Sequence, residues 1–335
     1  MKRLVLERCQ AALPAWRGLD VEDFDFDDPK GFSSFTMGVR CRRDGVAPTA
    51  ALYRHLDGKD NALLDYEDER RVYLTLADAG VAAACHVYAR THRIEAFYDG
   101  RTLTRHDLKD RAILRGIGGQ LRRLHALTPP DLPAEPFFDR LFRRWRALGR
   151  PTLTEHRGRF PESEQAMCEA LLPLLAPETL ARVRSLLPDE PLGFCHNDTY
   201  HGNTFLLAGG EVRLLDFEFS CLGYRSFDFA NLFAETVMRH KLPGYPHFSI
   251  AEPEYTDEDI AALVDGYLDP AAFPGEAARL AERARLVAQT RAMIPLSDFM
   301  YAMASLPLAV EPIQTIRFIP YAHARYQRFL AATGQ

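Results

Sequence analysis

The chain has 335 residues, of which 47% are hydrophobic and 26% charged, and its formal net charge is −5. This is the composition of an ordinary globular protein, so it excludes the disordered, collagen-like and coiled-coil classes. The balanced charge gives no electrostatic case for binding nucleic acid or an anionic membrane surface, which leaves small molecules or proteins as partners. No apolar run reaches the ~18 residues of a membrane-spanning helix.

Cysteine usage and the N-terminus predict a cytoplasmic protein. The six cysteines are scattered singly without a Cys-x-x-Cys pair, which in a chain of this size is typical of reduced thiols. The N-terminus starts with basic residues like a signal peptide. Glu7, Arg8 and Gln10 then interrupt its apolar run before it reaches the length of a signal-peptide core.

The first hundred residues predict strands with one helix. Alternating apolar residues predict strands over 35–42, 49–55 and 92–98. Apolar residues at helical spacing predict a helix over 68–79 that ends at Gly80.

From about residue 99 the pattern becomes helical. Apolar residues three or four apart predict helices over 110–127, 136–148, 162–175, 257–268, 276–293 and 321–330. One β segment interrupts them at 203–217. A small β-rich lobe followed by a larger, mainly helical lobe is an α+β layout. We therefore predict an N-terminal lobe over 1–98 and a C-terminal lobe over 99–335.

The β segment predicts a hairpin that brings two oxygen-bearing side chains together. Gly209-Gly210 favours a two-residue turn, which pairs Ala208 with Glu211 and, further out, Asn203 with Asp216. Side chains directly opposite each other have Cβ atoms roughly 4.5–5.5 Å apart. An amide oxygen and a carboxylate would then meet at the open end of the hairpin.

Together with Asp198, which precedes the hairpin, these residues match the needs of phosphoryl transfer. Asn203 and Asp216 offer the oxygen ligands that Mg²⁺ takes in proteins. Asp198 would orient an attacking hydroxyl and accept its proton. Two alternatives remain: local capping by turn residues, and a zinc site whose ligand spacing we cannot justify physically. The zinc candidates are Cys195, His196, His201 and Cys221. We predict instead that His196 braces the loop from beneath.

At these residues the chain resembles a known group of kinases. His196-x-Asp198-x4-Asn203, followed by Leu215-Asp216-Phe217-Glu218, is similar to the motif of the choline/ethanolamine kinase and aminoglycoside phosphotransferase superfamily. CHNDTYHGN, LLDFEFSCLGYRSFDFANLFAE and IRFIPYAHARYQRF resemble choline/ethanolamine kinases more specifically. The resemblance covers about residues 30 to 330. It implies a two-lobed protein-kinase-like fold, ATP and Mg²⁺ as cofactors, and a small hydroxylated amine as substrate.

The same resemblance assigns nucleotide-binding roles in the N-terminal lobe. Arg54 would clamp phosphate oxygens, as an arginine fork does, and Glu69 would pair with it and orient it. Residues 94–97 resemble the inter-lobe hinge whose backbone holds adenine, and residues 31–34 would cover the nucleotide with one glycine. The implied nucleotide contacts are Gly31, Ser33, Ser34, Arg54, Glu95 and Phe97.

Acceptor recognition departs from the family pattern. A cationic substrate needs aromatic faces and a balancing carboxylate, and Glu235 matches a family acidic residue near the acceptor. In choline kinases two tryptophans three residues apart help to box the trimethylammonium group. Here Tyr301 would replace one of them, and Ala304 stands at the other position. Arg317 lies where the family motif is usually acidic. The implied substrate contacts are Asp198, Glu218, Glu235 and Tyr301.

The leading hypothesis is therefore an ATP-dependent kinase that phosphorylates the hydroxyl of an amino alcohol such as choline or ethanolamine. A kinase for thiamine or an aminoglycoside-like amine is an alternative. A catalytically silent nucleotide-binding module is another. The sequence does not decide the acceptor or the oligomeric state.

Overall fold

A computed structural model of the chain describes residues 1–29, 35–56, 66–130, 134–311 and 316–334. They form two compact units, Met1–Arg101 with Leu206–Arg213, and Thr102–Phe205 with Leu214–Gln335. The first is rich in strands and the second is mainly helical, which confirms the predicted α+β class. The predicted boundary at 98/99 placed all later residues in one lobe, whereas the tip of the predicted hairpin belongs to the first unit.

A five-stranded antiparallel sheet forms the centre of the first unit, in the order β1-β2-β3-β5-β4. Its strands are β1 (Phe24–Phe26), β2 (Thr36–Cys41), β3 (Ala50–His55), β4 (Cys85–Ala89) and β5 (His92–Ala96), and its helices are α1 (Lys2–Ala12) and α2 (Tyr66–Asp78). The predicted strands and the predicted helix of this region are confirmed to within two residues at each end.

The N-terminal helix α1 closes the core of this unit. Val5, Leu6 and Cys9 lie on its buried face and pack with Trp16 against the apolar face of the sheet. The indole nitrogen of Trp16 donates a hydrogen bond to the carbonyl of Pro48 at 2.8 Å, so the buried ring keeps its polar group satisfied.

A separate sheet, in the order β6-β8-β9, consists of three short strands: β6 (Gly100–Thr102), β8 (Thr204–Leu207) and β9 (Val212–Leu214). Strand β7 (Gly193–Cys195) lies between β6 and β8 in the sequence. The predicted hairpin exists between β8 and β9, but its predicted register is wrong by one residue.

The hydrogen bonds of this hairpin show why the register shifts. Leu207 N donates to Glu211 O and Leu215 N donates to Asn203 O, both at 2.8 Å. Asn203 therefore lies opposite Leu215, not Asp216. Gly210 has φ of 85°, so the turn contains three residues and ends on a left-handed glycine. Two adjacent glycines are compatible with a two-residue turn and with a three-residue turn, so the sequence does not distinguish the two registers.

Helices dominate the second unit. They are α3 (Arg111–His125), α4 (Phe137–Leu153), α5 (Glu162–Leu171), α6 (Pro177–Leu186), α7 (Arg225–Ala234), α8 (Asp257–Tyr267), α9 (Glu276–Leu308) and α10 (Phe318–Ala332). The remaining strands are β10 (Cys221–Gly223), paired with β7, and β11 (Met238–His240), paired with β12 (Phe248–Ile250). The predicted helices are confirmed, although α9 continues 15 residues past its predicted end at Met293, through Pro295.

Two glycines let helices α3 and α8 approach closely. A Cβ atom at Gly118 would lie 2.0 Å from the carbonyl oxygen of Leu263, and one at Gly266 would lie 2.0 Å from that of Arg115. This contact sets the position of the C-terminal ends of both helices, His125 and Tyr267, whose side chains meet beneath the loop described next.

All six cysteines are among the described residues and are unpaired thiols. No helix within the described ranges is long and apolar enough to cross a membrane.

Candidate active site

The loop that follows β7 carries the predicted base. Strand β7 pairs antiparallel with β10, and Cys195 faces Cys221 in that pair. Asn197, the second residue after the strand, has a positive φ of 62°, which turns the chain sharply before Asp198. Its side-chain amide donates to the carbonyl of Phe219 at 3.0 Å, so it also ties the loop to the segment that leads into β10.

Asp198 is held by hydrogen bonds to both carboxylate oxygens. Asn203 Nδ2 donates to Oδ2 at 2.8 Å, and the hydroxyl of Tyr301 donates to Oδ1 at 2.5 Å. The residue is largely buried, with 9% of its surface exposed. Burial raises the pKa of Asp198 well above its ordinary value, the nearby charge of Asp216 raises it further, and the hydrogen bonds from Tyr301 and Asn203 oppose the shift.

His196 braces this loop, as predicted. The backbone N–H of Asp198 donates to His196 Nδ1 at 3.3 Å, and His196 Nε2 lies 2.9 Å from the carbonyl oxygen of Leu215. The two partners assign a neutral ring that carries its proton on Nε2. Burial lowers the pKa of His196, which agrees with the neutral form.

A buried carboxylate on α7 anchors the backbone of the loop. Asp228 Oδ2 accepts from the backbone N–H of His196 at 2.7 Å, and Oδ1 accepts from that of Asn197 at 2.7 Å. His125 Nε2 lies 2.9 Å from Oδ2, and the hydroxyl of Tyr267 lies 3.2 Å from His125 Nδ1.

The same anchor explains a cluster that resembles a metal site. Among the described residues, potential ligand atoms of His125, Cys195 and Asp228 lie within 4.8 Å of one another. Both oxygens of Asp228 already accept hydrogen bonds, and burial raises the pKa of the Cys195 thiol well above its ordinary value. The cluster is therefore explained as a hydrogen-bonded support for the loop.

The predicted magnesium ligands fit a hard cation by their chemistry. Asn203 uses its amide nitrogen on Asp198, donating to both the side chain and the carbonyl oxygen, so its amide oxygen points away from that residue. Asp216 has a positive φ of 61° directly after the residue that pairs with Asn203, and its charge acts on Asp198 and on His196. An amide oxygen and carboxylates form the donor set that Mg²⁺ prefers.

The predicted acceptor-binding acid has an internal partner. Glu235 is buried and forms an ion pair with Arg325, a residue with no exposed surface. Arg325 also donates to Asp298 at 2.9 Å and to the hydroxyl of Tyr321 at 2.7 Å. Burial raises the pKa of Glu235, and the charge of Arg325 opposes that shift.

The guanidinium of Arg325 also lies over two aromatic rings. It is 4.8 Å from the centroid of Tyr301 and 5.0 Å from that of Tyr321. Arg325 is not among the site residues predicted from the sequence. Its position among the aromatic residues of YAHARYQRF could have indicated that its side chain is buried.

The roles of the nucleotide-binding residues predicted in the first unit stay predictions. Glu95 lies in strand β5, within the predicted strand, and is buried, with Arg93 Nε donating to it at 2.7 Å. Phe97 follows that strand and carries the guanidinium of Arg40 4.4 Å from its ring centroid. Glu69 accepts a hydrogen bond from the hydroxyl of Tyr88 at 3.0 Å. The predicted pairing of Glu69 with Arg54 stays a prediction. The loop with Gly31, Ser33 and Ser34 lies outside the described residues.

Comparison with known proteins identifies the family. The family model for choline/ethanolamine kinase matches residues 34–330. The chain belongs to the choline/ethanolamine kinase family. These enzymes are phosphotransferases with an alcohol group as acceptor. The rat choline/ethanolamine kinase is 23% identical over 291 residues, covering 84% of this chain and 71% of that protein.

Solved structures show that the choline/ethanolamine kinase family shares the fold seen here. The crystal structure of choline kinase from Cryptosporidium parvum Iowa II superposes with a TM-score of 0.78 at 18% identity, covering 99% of this chain and 95% of that one. The ADP-bound aminoglycoside phosphotransferase APH(2'')-Ib gives a TM-score of 0.57 at 12% identity, covering 98% of each chain. The predicted two-lobed kinase-like fold is confirmed, and so is the predicted choline/ethanolamine kinase family.

The structure also identifies two residues that support the site and that the sequence motif does not contain, Asp228 and His125. Asp228 is not among the site residues predicted from the sequence, yet it has no exposed surface and holds the loop that carries Asp198. A charged residue in the apolar run FDFANLF is the signal that could have found it. His125 offered no such signal, because its partner lies 103 residues away along the chain.

Proposed function

We propose that the chain is an ATP-dependent kinase that transfers the γ-phosphate to the hydroxyl of an amino alcohol such as choline or ethanolamine. One observation carries the proposal. The carboxylate of Asp198 is hydrogen-bonded at both oxygens, and the residue is largely buried with 9% of its surface exposed. A fixed carboxylate of this kind can align a hydroxyl and accept its proton.

In the proposed reaction Asp198 removes the proton of the acceptor hydroxyl as its oxygen attacks the γ-phosphorus. The new bond forms from that oxygen to phosphorus, and the bond from phosphorus to the bridging oxygen of ADP breaks. Asn203 and Asp216 would hold Mg²⁺, which when bound neutralises charge on the phosphate oxygens. Asn203 would thus act twice, because its nitrogen fixes Asp198 and its oxygen faces the cation.

Two further observations support the choice of substrates. The family is defined by choline and ethanolamine kinases, and a solved structure with the same fold is ADP-bound. Arg54 on β3 is proposed to contact phosphate oxygens with Glu69 in support, as the resemblance implies. Gly31, Ser33, Ser34, Glu95 and Phe97 are proposed to contact the nucleotide, as the resemblance implies, with Glu95 and Phe97 acting through the backbone of their segment. Glu218, Glu235 and Tyr301 are proposed on the acceptor side.

A coupled assay of ADP release tests the proposal. Wild-type protein is assayed with Mg-ATP and choline, ethanolamine or thiamine, beside the Asp198→Asn variant. We expect turnover with at least one amino alcohol and a loss of about 10³-fold or more in kcat for the variant, since general-base catalysis typically contributes 10²–10⁴-fold. Binding of Mg-ATP, measured by calorimetry, should change little.

The control is Asp265→Asn, which removes a carboxylate that pairs with Arg279 and Arg283 at the protein surface. It should retain wild-type turnover. Equal turnover of the wild type and Asp198→Asn would sink the proposed mechanism. Tight binding of Mg-ATP without turnover on any acceptor would instead favour a silent nucleotide-binding module.

A further inference from the structure

Tyr301 directs its hydroxyl at the proposed catalytic base. The O–H donates to Asp198 Oδ1 at 2.5 Å, while Asn203 Nδ2 donates to Oδ2 at 2.8 Å. A hydrogen bond from a hydroxyl to an ionised carboxylate is charge-assisted, and such bonds are stronger than those between neutral groups. An ionised carboxylate has about four acceptor sites, so one bond at each oxygen still leaves room for an acceptor hydroxyl.

The hydroxyl of Tyr301 is itself oriented by neighbouring side chains. Asn231 Nδ2 lies 3.3 Å from the phenolic oxygen and donates to it, and the same nitrogen donates to the carbonyl of Thr199 at 3.2 Å. Ser297, one turn before Tyr301 on α9, donates to Asn231 Oδ1 at 2.7 Å. Because the phenolic oxygen accepts from Asn231, its proton is directed to Asp198.

The ring of Tyr301 also has a fixed partner. The guanidinium of Arg325 lies 4.8 Å from the ring centroid, and Glu235 and Asp298 hold that guanidinium in place through ion pairs. Both the polar end and one face of Tyr301 are therefore engaged by protein groups. This arrangement suits a side chain that supports the site better than one that only walls in a substrate cation.

We propose that Tyr301 is a positioning residue whose hydroxyl fixes the carboxylate of Asp198 for attack by the acceptor hydroxyl. This inference rests on the proposed function, in which Asp198 is the base. The two hydrogen bonds, from α9 on one side and from Asn203 on the other, prevent rotation of the carboxylate. Orientation of this kind matters because a misplacement of about 1 Å at a reacting group can cost 10²-fold in rate.

Kinetics of Tyr301→Phe separate this role from substrate binding. The phenylalanine keeps the ring and its contact with Arg325 but removes the hydroxyl. We expect kcat to fall about 10- to 100-fold with less than about a threefold change in KM for the acceptor. Tyr301→Trp should show the same fall in kcat, because it restores an aromatic wall without a hydroxyl at that place.

The matched control is Tyr326→Phe, which removes the hydroxyl of another buried tyrosine, on α10, away from Asp198. It should leave kcat and KM unchanged. Wild-type kcat in Tyr301→Phe would overturn the proposal. A rise in KM alone, recovered in Tyr301→Trp, would overturn it too and assign Tyr301 to the cation box.

A thermal double-mutant cycle tests the contact without any assay of turnover. Tyr301→Phe, Asp198→Ala and the double variant are melted beside the wild type, and coupled residues give non-additive shifts in the midpoint. We expect the double variant to melt close to the more destabilised single variant. Additive shifts would overturn the proposal. Absence of turnover in the wild type would sink the proposed function, and the cycle would still decide this contact.

Discussion

Asp228 is a buried carboxylate inside helix α7, most of whose other residues are apolar. It has no exposed surface, and burial of a lone carboxylate is costly. Three donors compensate it, namely the backbone N–H groups of His196 and Asn197 and the ring of His125. Because Asn197 has a left-handed backbone conformation, these bonds hold the chain in a turn that it would not adopt alone. The carboxylate of Asp228 therefore fixes the backbone conformation of the loop that carries Asp198.

Asp228→Asn should be damaging although it changes few atoms. An amide has one acceptor oxygen, so its NH₂ group would face a backbone N–H donor. We expect the free energy of unfolding to fall by about 2–3 kcal/mol, because a buried backbone donor loses its acceptor. We also expect kcat to fall at least about tenfold at temperatures where the variant stays folded. Urea unfolding and steady-state kinetics measure the two effects.

The same chemical change at a half-buried ion pair provides the control. Asp265→Asn should cost less than about 1 kcal/mol, because the pair lies at the protein surface. A midpoint for Asp228→Asn equal to that of Asp265→Asn would contradict the anchoring role.

At the scale of elements, the close contact between α3 and α8 depends, on the α3 side, on Gly118 and not on the adjacent Gly119. A Cβ at Gly118 would lie 2.0 Å from the carbonyl oxygen of Leu263, which is backbone and cannot swing aside. A Cβ at Gly119 would find its nearest neighbour, the carbonyl oxygen of Gly266, at 3.8 Å, an ordinary contact. The two helix-interior glycines therefore differ only in the space around them.

Gly118→Ala should destabilise the protein, and Gly119→Ala should stabilise it. We expect a loss of about 1–3 kcal/mol for the first from overpacking. We expect a gain of up to about 1 kcal/mol for the second, since alanine favours a helix over glycine. Thermal unfolding of the pair measures the difference. Stabilisation by both substitutions would show that α3 and α8 separate at little cost.

Sequence patterns predicted elements well where one face of an element is apolar. The helix predicted over 257–268 is α8, Asp257–Tyr267, because its apolar spacing and its acidic first turn agree. The hairpin before Asp216 was predicted one residue out of register, because Gly209-Gly210 allows a two- or a three-residue turn. Helix α9 continues through Pro295, where a sequence pattern favours an end, because the residues beyond it are buried among other helices.

At the scale of the whole molecule, the site divides into what a local motif contains and what the fold brings to it. Asp198 and Asn203 lie five residues apart, and their hydrogen bond joins residues that the motif already contained. Tyr301 reaches Asp198 from 103 residues away, and Arg325 reaches Glu235 from 90 residues away. No pattern in one sequence specifies such pairs, because they depend on how α7, α9 and α10 pack.

The two units carry buried carboxylates whose pKa values shift in opposite directions. In the first unit burial alone would raise the pKa of Glu95, but the charges of Arg93 and Arg54 lower it below the ordinary 4.5. The stability that Glu95 contributes is therefore complete above about pH 4.5 and is lost as the pH falls toward its folded pKa. In the second unit burial raises the pKa of Asp198, so protonation favours the folded state there.

The two tryptophans allow each unit to be followed separately as it unfolds. Trp16 is buried in the first unit and Trp145 in the second, and the chain has 2 tryptophans in all. In Trp145→Phe the fluorescence reports the first unit, and in Trp16→Phe it reports the second. Between pH 7 and pH 4 we expect the midpoint reported by Trp16 to fall about 5 °C further than that reported by Trp145. This shift corresponds to about 1 kcal/mol in a unit of this size.

Adding Glu95→Gln to the Trp145→Phe background assigns that difference to one carboxylate. The amide leaves Arg93 buried without its charge partner, so the midpoint at pH 7 should fall, and the further fall at pH 4 should shrink. Asp25→Asn is the control, since it removes an exposed carboxylate 3.8 Å from Arg42 and should leave both midpoints unchanged. If the midpoint falls equally at pH 4 with glutamate and with glutamine at position 95, Glu95 is not the source of the acid sensitivity. Only a titratable group can link proton binding to unfolding.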